Sequence, residues 1–446
     1  MRLRPAFPIP AALAAALVAA APTASAQLSP RELTIAGAVD RRAPSAIALL
    51  ERLVNINSGT MNFAGVRAVG DVLREKLDSL GFTTRWVDGA AFGRAGHLVA
   101  EHPGPGPKLL LIGHLDTVFE PSSPFQRFEL RADSMAGGPG IIDMKGGDVI
   151  ILAALQALRE AGGLAGMNVT VVFDGDEESA GEPVAAARKA LVDAAQGAVA
   201  AIGFEDGPGD PKLGVISRRG ATQWKLTATG LAGHASQIFR TDLGAGAVNE
   251  AARILGEFYQ KLAGEPYLAF SAGLILGGSD VTLDSTLTSG SARGKTNVIA
   301  QRVVVTGDIR TISPEQLTRT MAAMREIVSR HLPHTDATIE FLEGGYPPLA
   351  PTDGNRRLLS LFDQTSRDLK LGPVEPVDPT RAGAADVAFI AGIVPMIIDG
   401  VGLSGHDDHS DKETADLRML SVQAKRAAVL LHRLTTRPEL VAPVRP

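Results

Sequence analysis

The sequence predicts an α/β protein in which a mostly parallel sheet, covered by helices on both faces, is interrupted by a smaller α+β domain. Segments with helical periodicity alternate with short apolar runs from about residue 43 onward, as in a covered parallel sheet. One run, residues 109–112, is wholly aliphatic, as a strand buried on both faces would be. The pattern changes near Arg218 and resumes after residue 344, which predicts an insertion.

The segment before the insertion alternates helices and strands throughout. We expect helices at 43–56, 64–80, 145–161 and 180–191, and strands at 82–87, 97–101, 108–113, 168–173 and 198–204. This succession of helices and strands predicts a mostly parallel sheet covered on both faces.

The insertion has a different order of elements. We expect a strand at 221–229, a helix at 245–262, a strand with a Gly/Ser-rich excursion within 267–290, a strand at 303–309, a helix at 313–331 and a strand at 337–341. This β-α-β-β-α-β order is typical of a ferredoxin-like, split βαβ layer. The predicted catalytic domain is therefore discontinuous, with residues 27–217 and 344–446 flanking an inserted domain at 218–343.

The first 26 residues form a predicted signal peptide. Arg2 and Arg4 precede an apolar stretch at 11–21, and the small residues 24–26 provide a cleavage site. The apolar run is too short for a stable membrane span, so we expect a periplasmic or secreted protein without membrane contact once the signal is cleaved. An uncleaved N-terminal anchor is the alternative.

Composition excludes several classes of function. The 446 residues carry a formal net charge of -5, so the basic footprint of a nucleic-acid-binding protein is missing. The chain contains no cysteine, which excludes disulfides, thiolate metal sites and cysteine nucleophiles. Any metal must therefore be held by His, Asp and Glu.

Carboxylates and histidines recur where the predicted strands end. The candidates are His114, Asp116, Asp143, Asp176 to Glu178, Glu205, Asp206, His406 and His409. Carboxylate oxygens and imidazoles suit two divalent ions of the zinc type, and one extra carboxylate would activate water. Each residue alone could be a loop or capping residue, but their recurrence at successive strand ends favours one site. His406 competes with His409 here, and Asp206 competes with Glu205.

His114 and Asp116 are two residues apart, so in an extended backbone they share a side. The Asp116 carboxylate could then accept a hydrogen bond from the far nitrogen of His114 and orient a metal-bound imidazole.

Five motifs, in chain order, resemble those of the M20 family of zinc metallopeptidases, most of all its bacterial glutamate carboxypeptidases. They are residues 113–119, 138–147, 176–178, 204–205 and 409–412, and the resemblance covers essentially all of the mature chain. It implies two Zn²⁺ ions, with Co²⁺ or Mn²⁺ also acceptable to this ligand set. The implied ligands are His114, Asp143 as the bridge, Glu178, Glu205 and His409. Glu177 would be the general base, and Asp116 would orient His114.

The resemblance also implies that the insertion at 218–343 is a dimerisation or lid domain with a role in catalysis. His234 would stabilise the oxyanion, typically from the neighbouring subunit, which implies a homodimer formed through the inserted domain. Asn297 and Arg310 would hold the substrate's carboxylate. Gly383 begins the family's substrate loop, although Ala384 and the alanine after it depart from the usual Gly/Ser/Thr pattern.

The expected activity is release of a C-terminal amino acid from a peptide or an N-acyl amino acid, with glutamate favoured by the resemblance alone. An N-acyl amino acid deacylase or dipeptidase is the alternative, because these enzymes share the metal site and differ in the pocket walls. A non-catalytic exported binding protein is a third hypothesis. It is disfavoured because a binding protein does not need Glu177 beside a full set of metal ligands.

Overall fold

A computed structural model describes residues 28–206 and 209–442, so the predicted signal peptide lies outside the described residues. The helices in these ranges are α1 (Pro30–Val54), α2 (Phe63–Ser79), α3 (Gly146–Glu160), α4 (Val184–Ala187), α5 (Lys189–Ala195), α6 (Gly246–Leu262), α7 (Pro314–Val328), α8 (Asp353–Asp368) and α9 (Arg418–Thr436). Within the same ranges, no helix combines the length and the apolar character needed to cross a bilayer.

The strands fall into two larger groups with short pairs between them. They are β1 (Thr83–Asp88), β2 (Gly96–His102), β3 (Lys108–His114), β4 (Glu129–Leu130), β5 (Met135–Gly137), β6 (Asn168–Asp174), β7 (Ala200–Gly203), β8 (Leu213–Gly214), β9 (Gly220–Gly230), β10 (Ala269–Gly278), β11 (Asp280–Leu283), β12 (Gly290–Arg293), β13 (Arg302–Thr311), β14 (Thr335–Phe341), β15 (Glu375–Pro376), β16 (Ile397–Ile398), β17 (Gly405–His406) and β18 (Thr414–Asp416).

The central sheet has the order β1-β2-β6-β3-β7-β16, and its last four strands run parallel. Both faces are covered, as β3 illustrates. Leu109 and Leu111 pack in the cluster that contains α1, α2, α3 and α9, whereas Leu110 and Ile112 pack with α5 and residues 385–397. The predicted fold class, a mostly parallel sheet covered on both faces, is confirmed.

The inserted domain is an antiparallel sheet of order β10-β13-β9-β14, with α6 and α7 packed on one face. Its core contains Trp224, whose ring meets that of Phe258 edge-on at a centroid distance of 6.0 Å. The Gly/Ser-rich excursion forms the hairpin β11-β12. In chain order the sheet begins with β9 and ends with β14, and both strands lie within the predicted segment 218–343.

Local structure departs from the prediction in two helices. Helix α1 begins at Pro30, well before residue 43, because Ser29 and Glu32 form a capping box and proline suits the first helical position. The helix expected at 180–191 is divided into α4 and α5 at Arg188, whose side chain is drawn into the interior. The strands β4, β5, β17 and β18 were not predicted, since two or three residues carry no readable periodicity.

Candidate metal centre

The candidate residues converge at one edge of the central sheet. His114 is the last residue of β3, Glu177 and Glu178 follow β6, and Glu205 follows β7. Because these three strands run parallel, their carboxyl ends lie at the same edge, where ligands bind in open α/β sheets. Asp143 reaches this edge from the turn before α3, and His409 from the loop after β17.

Asp143 lies between two imidazoles, with one carboxylate oxygen facing each. Its Oδ1 is 3.0 Å from His114 Nε2, and its Oδ2 is 2.9 Å from His409 Nε2. Glu205 Oε1 lies 3.3 Å from the same nitrogen of His114, and Glu178 Oε2 lies 3.3 Å from that of His409. Ligand atoms that share one tetrahedral zinc ion are about 3.3 Å apart. His114, Glu205 and Asp143 therefore fit one cation. Asp143 and His409 offer ligands to a second, with Glu178 beside His409 and Asp408 within reach of both.

The competing residues differ in their distance from this cluster. His406 lines the same cavity but belongs to neither group of potential ligands, whereas His409 contacts Asp143 directly. Glu205 groups with His114 and Asp143, and Asp206 does not. Asp408 is an unpredicted candidate, since one of its oxygens lies within 4.8 Å of ligand atoms of both Asp143 and His409.

Burial and, after it, repulsion between neighbouring carboxylates shift the pKa values in this site. Burial, then the Asp143 carboxylate, raises the pKa of Glu178 to about 7. Burial, followed by the charges of Asp386 and Glu205, raises the pKa of Glu177 well above its usual value. Burial also opposes ionisation of Asp143, but the two imidazoles outweigh it and hold its pKa below the usual range. Divalent cations would stabilise all of these carboxylates in the charged form.

Asp116 is fully buried and holds more than one neighbour. Its Oδ1 lies 3.4 Å from His114 Nδ1, while the shorter contact of that nitrogen, 3.0 Å, is to the Asp116 carbonyl oxygen. The carboxylate also accepts hydrogen bonds from the backbone N–H groups of Glu177 and Glu178, at 3.0 and 3.1 Å. Asp116 thus positions the imidazole mainly through its backbone, and the two glutamates through its side chain.

The turn that carries Asp143 is anchored by Glu413, a residue the sequence did not single out. The buried Glu413 carboxylate accepts hydrogen bonds from the backbone N–H groups of Gly140, Ile142 and Asp143 at 2.9–3.2 Å. Gly140 has a φ of 69°, and a Cβ there would lie 2.4 Å from a Thr117 methyl group. The turn is therefore fixed by hydrogen bonds to Glu413 and by close packing of Gly140 against Thr117.

The loop that carries His409 has a strained backbone. Asp407 and His409 have φ angles of 63° and 58°, which non-glycine residues adopt rarely. Such conformations persist where the surrounding structure imposes them, as at functional sites.

Tyr346 connects the loop of Glu177 to the return crossing from the inserted domain. Its hydroxyl donates to the Glu177 carbonyl oxygen at 2.7 Å and accepts from Arg188 Nη2 at 2.9 Å. The buried Arg188 also donates to the carboxylates of Asp176 and Asp386, at 2.6 and 2.7 Å. The backbone of Tyr346 is in turn bridged to Ala221 in β9. Glu177 is therefore tied to the junction between the two domains.

Substituting Tyr346 with Phe is expected to lower kcat about fivefold while KM and metal content stay unchanged. The change removes the hydroxyl that holds the backbone of Glu177, and such a hydrogen bond contributes about 1 kcal/mol net. Tyr346 does not line the cavity, so substrate binding should not change. Steady-state kinetics with metal analysis would measure this. Tyr259→Phe is the matched control, since Tyr259 is 73% exposed on α6. Equal kinetics for the two variants would show that Tyr346 does not position Glu177.

A cavity of about 380 Å³ opens in front of the cluster. Its walls include Glu177, the four ligand candidates Asp143, Glu178, Glu205 and His409, and Gly383 of the predicted substrate loop. Further acidic groups line it at Asp206, Asp407 and Asp408, and arginines at 218 and 381. The cavity thus brings together the predicted base, most of the ligand candidates and one predicted substrate-binding residue.

The three predicted residues of the inserted domain do not line this cavity. His234 is exposed, and Asn297 lies next to it, since the Asn297 carbonyl accepts from Ala235 N–H at 2.9 Å. His234 and Asn297 lie beyond the first residue of β13, Arg302. Arg310 lies near the other end of that strand, where it pairs with Ala221 in β9. The strand from Arg302 to Arg310 spans roughly 27 Å. Asn297 and Arg310 of one subunit therefore cannot bind the same carboxylate.

The sequence matches the family described as "Peptidase family M20/M25/M40" over residues 110–433. Among curated proteins, carboxypeptidase G2 of a Pseudomonas species is 28% identical over 425 residues, covering 94% of this chain and 96% of the relative. A succinyl-diaminopimelate desuccinylase of Gluconacetobacter diazotrophicus is 26% identical over 398 residues, covering 86% and 96%.

Solved structures share the fold at lower sequence identity. Aminopeptidase PepT of Bacillus cereus superposes with a TM-score of 0.70 at 18% identity, covering 88% of this chain and 98% of that protein. The YXEP protein of Bacillus subtilis, a dinuclear metal-binding peptidase, gives 0.60 at 16% identity, covering 89% and 99%.

Proposed function

The chain belongs to peptidase family M20/M25/M40, and on that basis we propose that it is a di-zinc exopeptidase that releases a C-terminal amino acid. Its substrates would be peptides or N-acyl amino acids, with glutamate as the favoured residue. The observation that carries the proposal is the Asp143 carboxylate between two imidazoles, with Glu177 beside it at the cavity wall. A binding protein would not need the Glu177 carboxylate in addition to a full set of metal ligands.

The donor set supports a site for two cations. His114 and Glu205 would complete the shell of one ion, His409 and Glu178 that of the other, and Asp143 would belong to both. The Oε1 atom of Glu178 is buried without a hydrogen-bond partner among the described residues, as a metal-ligating oxygen would be in a metal-free structure. When bound, two zinc ions would acidify a water molecule and polarise the scissile carbonyl.

Glu177 would perform the proton transfers. As a carboxylate it takes a proton from the attacking water, whose oxygen bonds to the amide carbon. Glu177 then gives that proton to the departing nitrogen as the C–N bond breaks, leaving a carboxylate and a free amine. Asp116 and Tyr346, which hold the backbone of Glu177, would keep its carboxylate in reach of both atoms.

We propose that a second subunit completes the site. The exposed imidazole of His234 would donate to the oxyanion from the partner subunit, with Asn297 beside it. Arg310, at the end of β13 near the junction of the two domains, would bind substrate in its own subunit. The separation of Asn297 and Arg310 along β13 supports this division. The edge strand β10 of the inserted domain is mostly exposed, with Ile275 57% accessible, and is available for the contact.

The alternative activity, deacylation of N-acyl amino acids or dipeptide hydrolysis on the same scaffold, is favoured by the similarity to a desuccinylase. A release assay would separate the two. We expect N-acyl-glutamate to be cleaved faster than N-acyl-leucine, and free dipeptides to be poor substrates. Comparable rates on free dipeptides would instead identify a dipeptidase, and no release from any of the three would contradict the proposal.

We also propose that the protein is exported. The basis is the sequence of residues 1–26, and a native N-terminus at Gln27 together with periplasmic or extracellular fractionation would test it.

A further inference from the structure

Arg218 is a buried arginine in the cavity wall that its own hydrogen bonds do not fully occupy. Its side chain is only 7% exposed, and Nε donates to Asp399 Oδ2 at 2.7 Å while Nη1 donates to the Gly383 carbonyl oxygen at 3.0 Å. Within residues 28–206 and 209–442, Nη2 has no hydrogen-bond partner, and it is not sealed inside the protein. Arg218 is also one of the residues that line the cavity.

A purely structural role would not explain this arrangement. Asp399 already receives the Nε side of the guanidinium and also accepts from the backbone of Glu205 and Gly400, at 3.3 and 2.8 Å. The opposite edge, formed by Nη1 and Nη2, can pair with a carboxylate through two parallel hydrogen bonds. Leaving a buried donor without a partner costs free energy unless water or a ligand supplies one.

A second arginine stands at the rim of the same wall. Arg381 is exposed, lies two residues before Gly383, and makes no ion pair within 4.0 Å in the described part of the chain. Among the described lining residues, Arg218 and Arg381 are the only cationic side chains apart from the imidazoles of His406 and His409. The rest of the charged wall is acidic, with Asp399, Glu205 and Asp206 close to Arg218, so an incoming anion would find its cationic partners at these two arginines.

We propose that Arg218, with Arg381 at the rim, binds the side-chain carboxylate of the departing amino acid and so selects acidic residues. The inference rests on the proposed exopeptidase function and adds to it the residues that would read the side chain. Arg310 and Asn297, on the inserted domain, remain the candidates for the α-carboxylate. Arg218 also holds the carbonyl of Gly383, so the same guanidinium would set the position of the substrate loop.

The test compares N-acyl-glutamate with N-acyl-glutamine, which has nearly the same shape and no side-chain charge. Wild-type protein should prefer glutamate in kcat/KM. Arg381→Gln should lower kcat/KM for glutamate about 10-fold and leave glutamine within about twofold. Arg218→Lys keeps the charge but loses the paired donors, and should lower the glutamate value about 10- to 100-fold. Arg356→Gln is the matched control, because Arg356 is exposed, lies outside the cavity lining and makes no side-chain hydrogen bond with the described residues.

Several outcomes would overturn the inference. An equal loss on both substrates would mean that the arginines do not read the side chain. A loss that disappears with N-acyl-glutamate α-amide would assign them to the α-carboxylate instead. If wild-type protein cleaves glutamate and glutamine substrates equally, the hydrolase function stands and this inference fails. If it cleaves neither these nor N-acyl-leucine, the proposed function fails as well. A thermal melt of Arg218→Lys guards against a folding defect, and Arg381→Gln carries the test if that variant unfolds.

Discussion

Replacing Glu177 with Gln is expected to lower kcat by about three orders of magnitude while leaving the metal content unchanged. Glutamine keeps the shape of the side chain but cannot take a proton from water. Glu177 is in neither group of contacts around His114 and His409, so its loss should not release a cation. Its backbone would still be held by Asp116 and Tyr346. Stopped-time assays and metal analysis on the same preparations would measure both effects.

Glu182→Gln is the matched control, because Glu182 lies on the same loop, is exposed, and makes no side-chain hydrogen bond with the described residues. It should keep wild-type kcat. Activity retained by Glu177→Gln would refute the assignment of the base, and loss of metal would make Glu177 a ligand.

The same variant can show whether the partner subunit supplies His234. A mixed dimer of Glu177→Gln and His234→Ala has one site with both lesions and one with neither if the imidazole acts across the interface. Random mixing should then restore activity at roughly a quarter of the sites. If His234 acts within its own subunit, every site of the mixture carries a lesion and activity stays at the level of the single variants.

The fold class could be predicted because its signals are local. Aliphatic runs such as residues 109–112 mark buried strands, and the position of a residue just after such a run places it at the carboxyl edge of the sheet. That is why His114, Glu178 and Glu205, which are far apart in the sequence, could be expected near one another. The structure brings them together at that edge.

The supporting contacts could not be predicted, because they depend on packing between distant segments. Tyr346 is 169 residues from Glu177, and Arg218 is 181 residues from Asp399. No spacing rule connects such pairs. Glu413 directly follows the motif at 409–412, and its burial behind the Asp143 turn gave no sequence signal.

The positions of Asn297 and Arg310 show a second limit. The family resemblance implied that both residues bind the substrate's carboxylate. It carried no information about which end of β13 each residue would lie near. A strand of ten residues is long enough to separate its ends by more than any side chain can reach. The sequence could therefore name the residues, whereas their separation along the inserted domain follows only from the folded sheet.

Replacing Asp143 with Asn is expected to reduce bound metal from about two ions per chain to one or fewer, and kcat/KM by at least about three orders of magnitude. Asparagine offers one acceptor oxygen, and its amide nitrogen would face the other imidazole with N–H donors. One of the two cations therefore loses its shared ligand. Glu413 binds the backbone of the turn, not the Asp143 side chain, so the turn itself should remain folded.

Asp206→Asn provides the control that makes this prediction specific. Asp206 lines the same cavity, and burial, followed by the charges of Asp143 and Glu205, raises its pKa well above the usual value. It groups with neither imidazole, so the variant should keep both cations. In metal-free protein, removing the Asp143 charge should also lower the pKa of Glu178, which that charge helps to raise. Two cations retained by Asp143→Asn would mean that the carboxylate shared between the ions is not Asp143, and one cation lost by Asp206→Asn would make Asp206 a ligand.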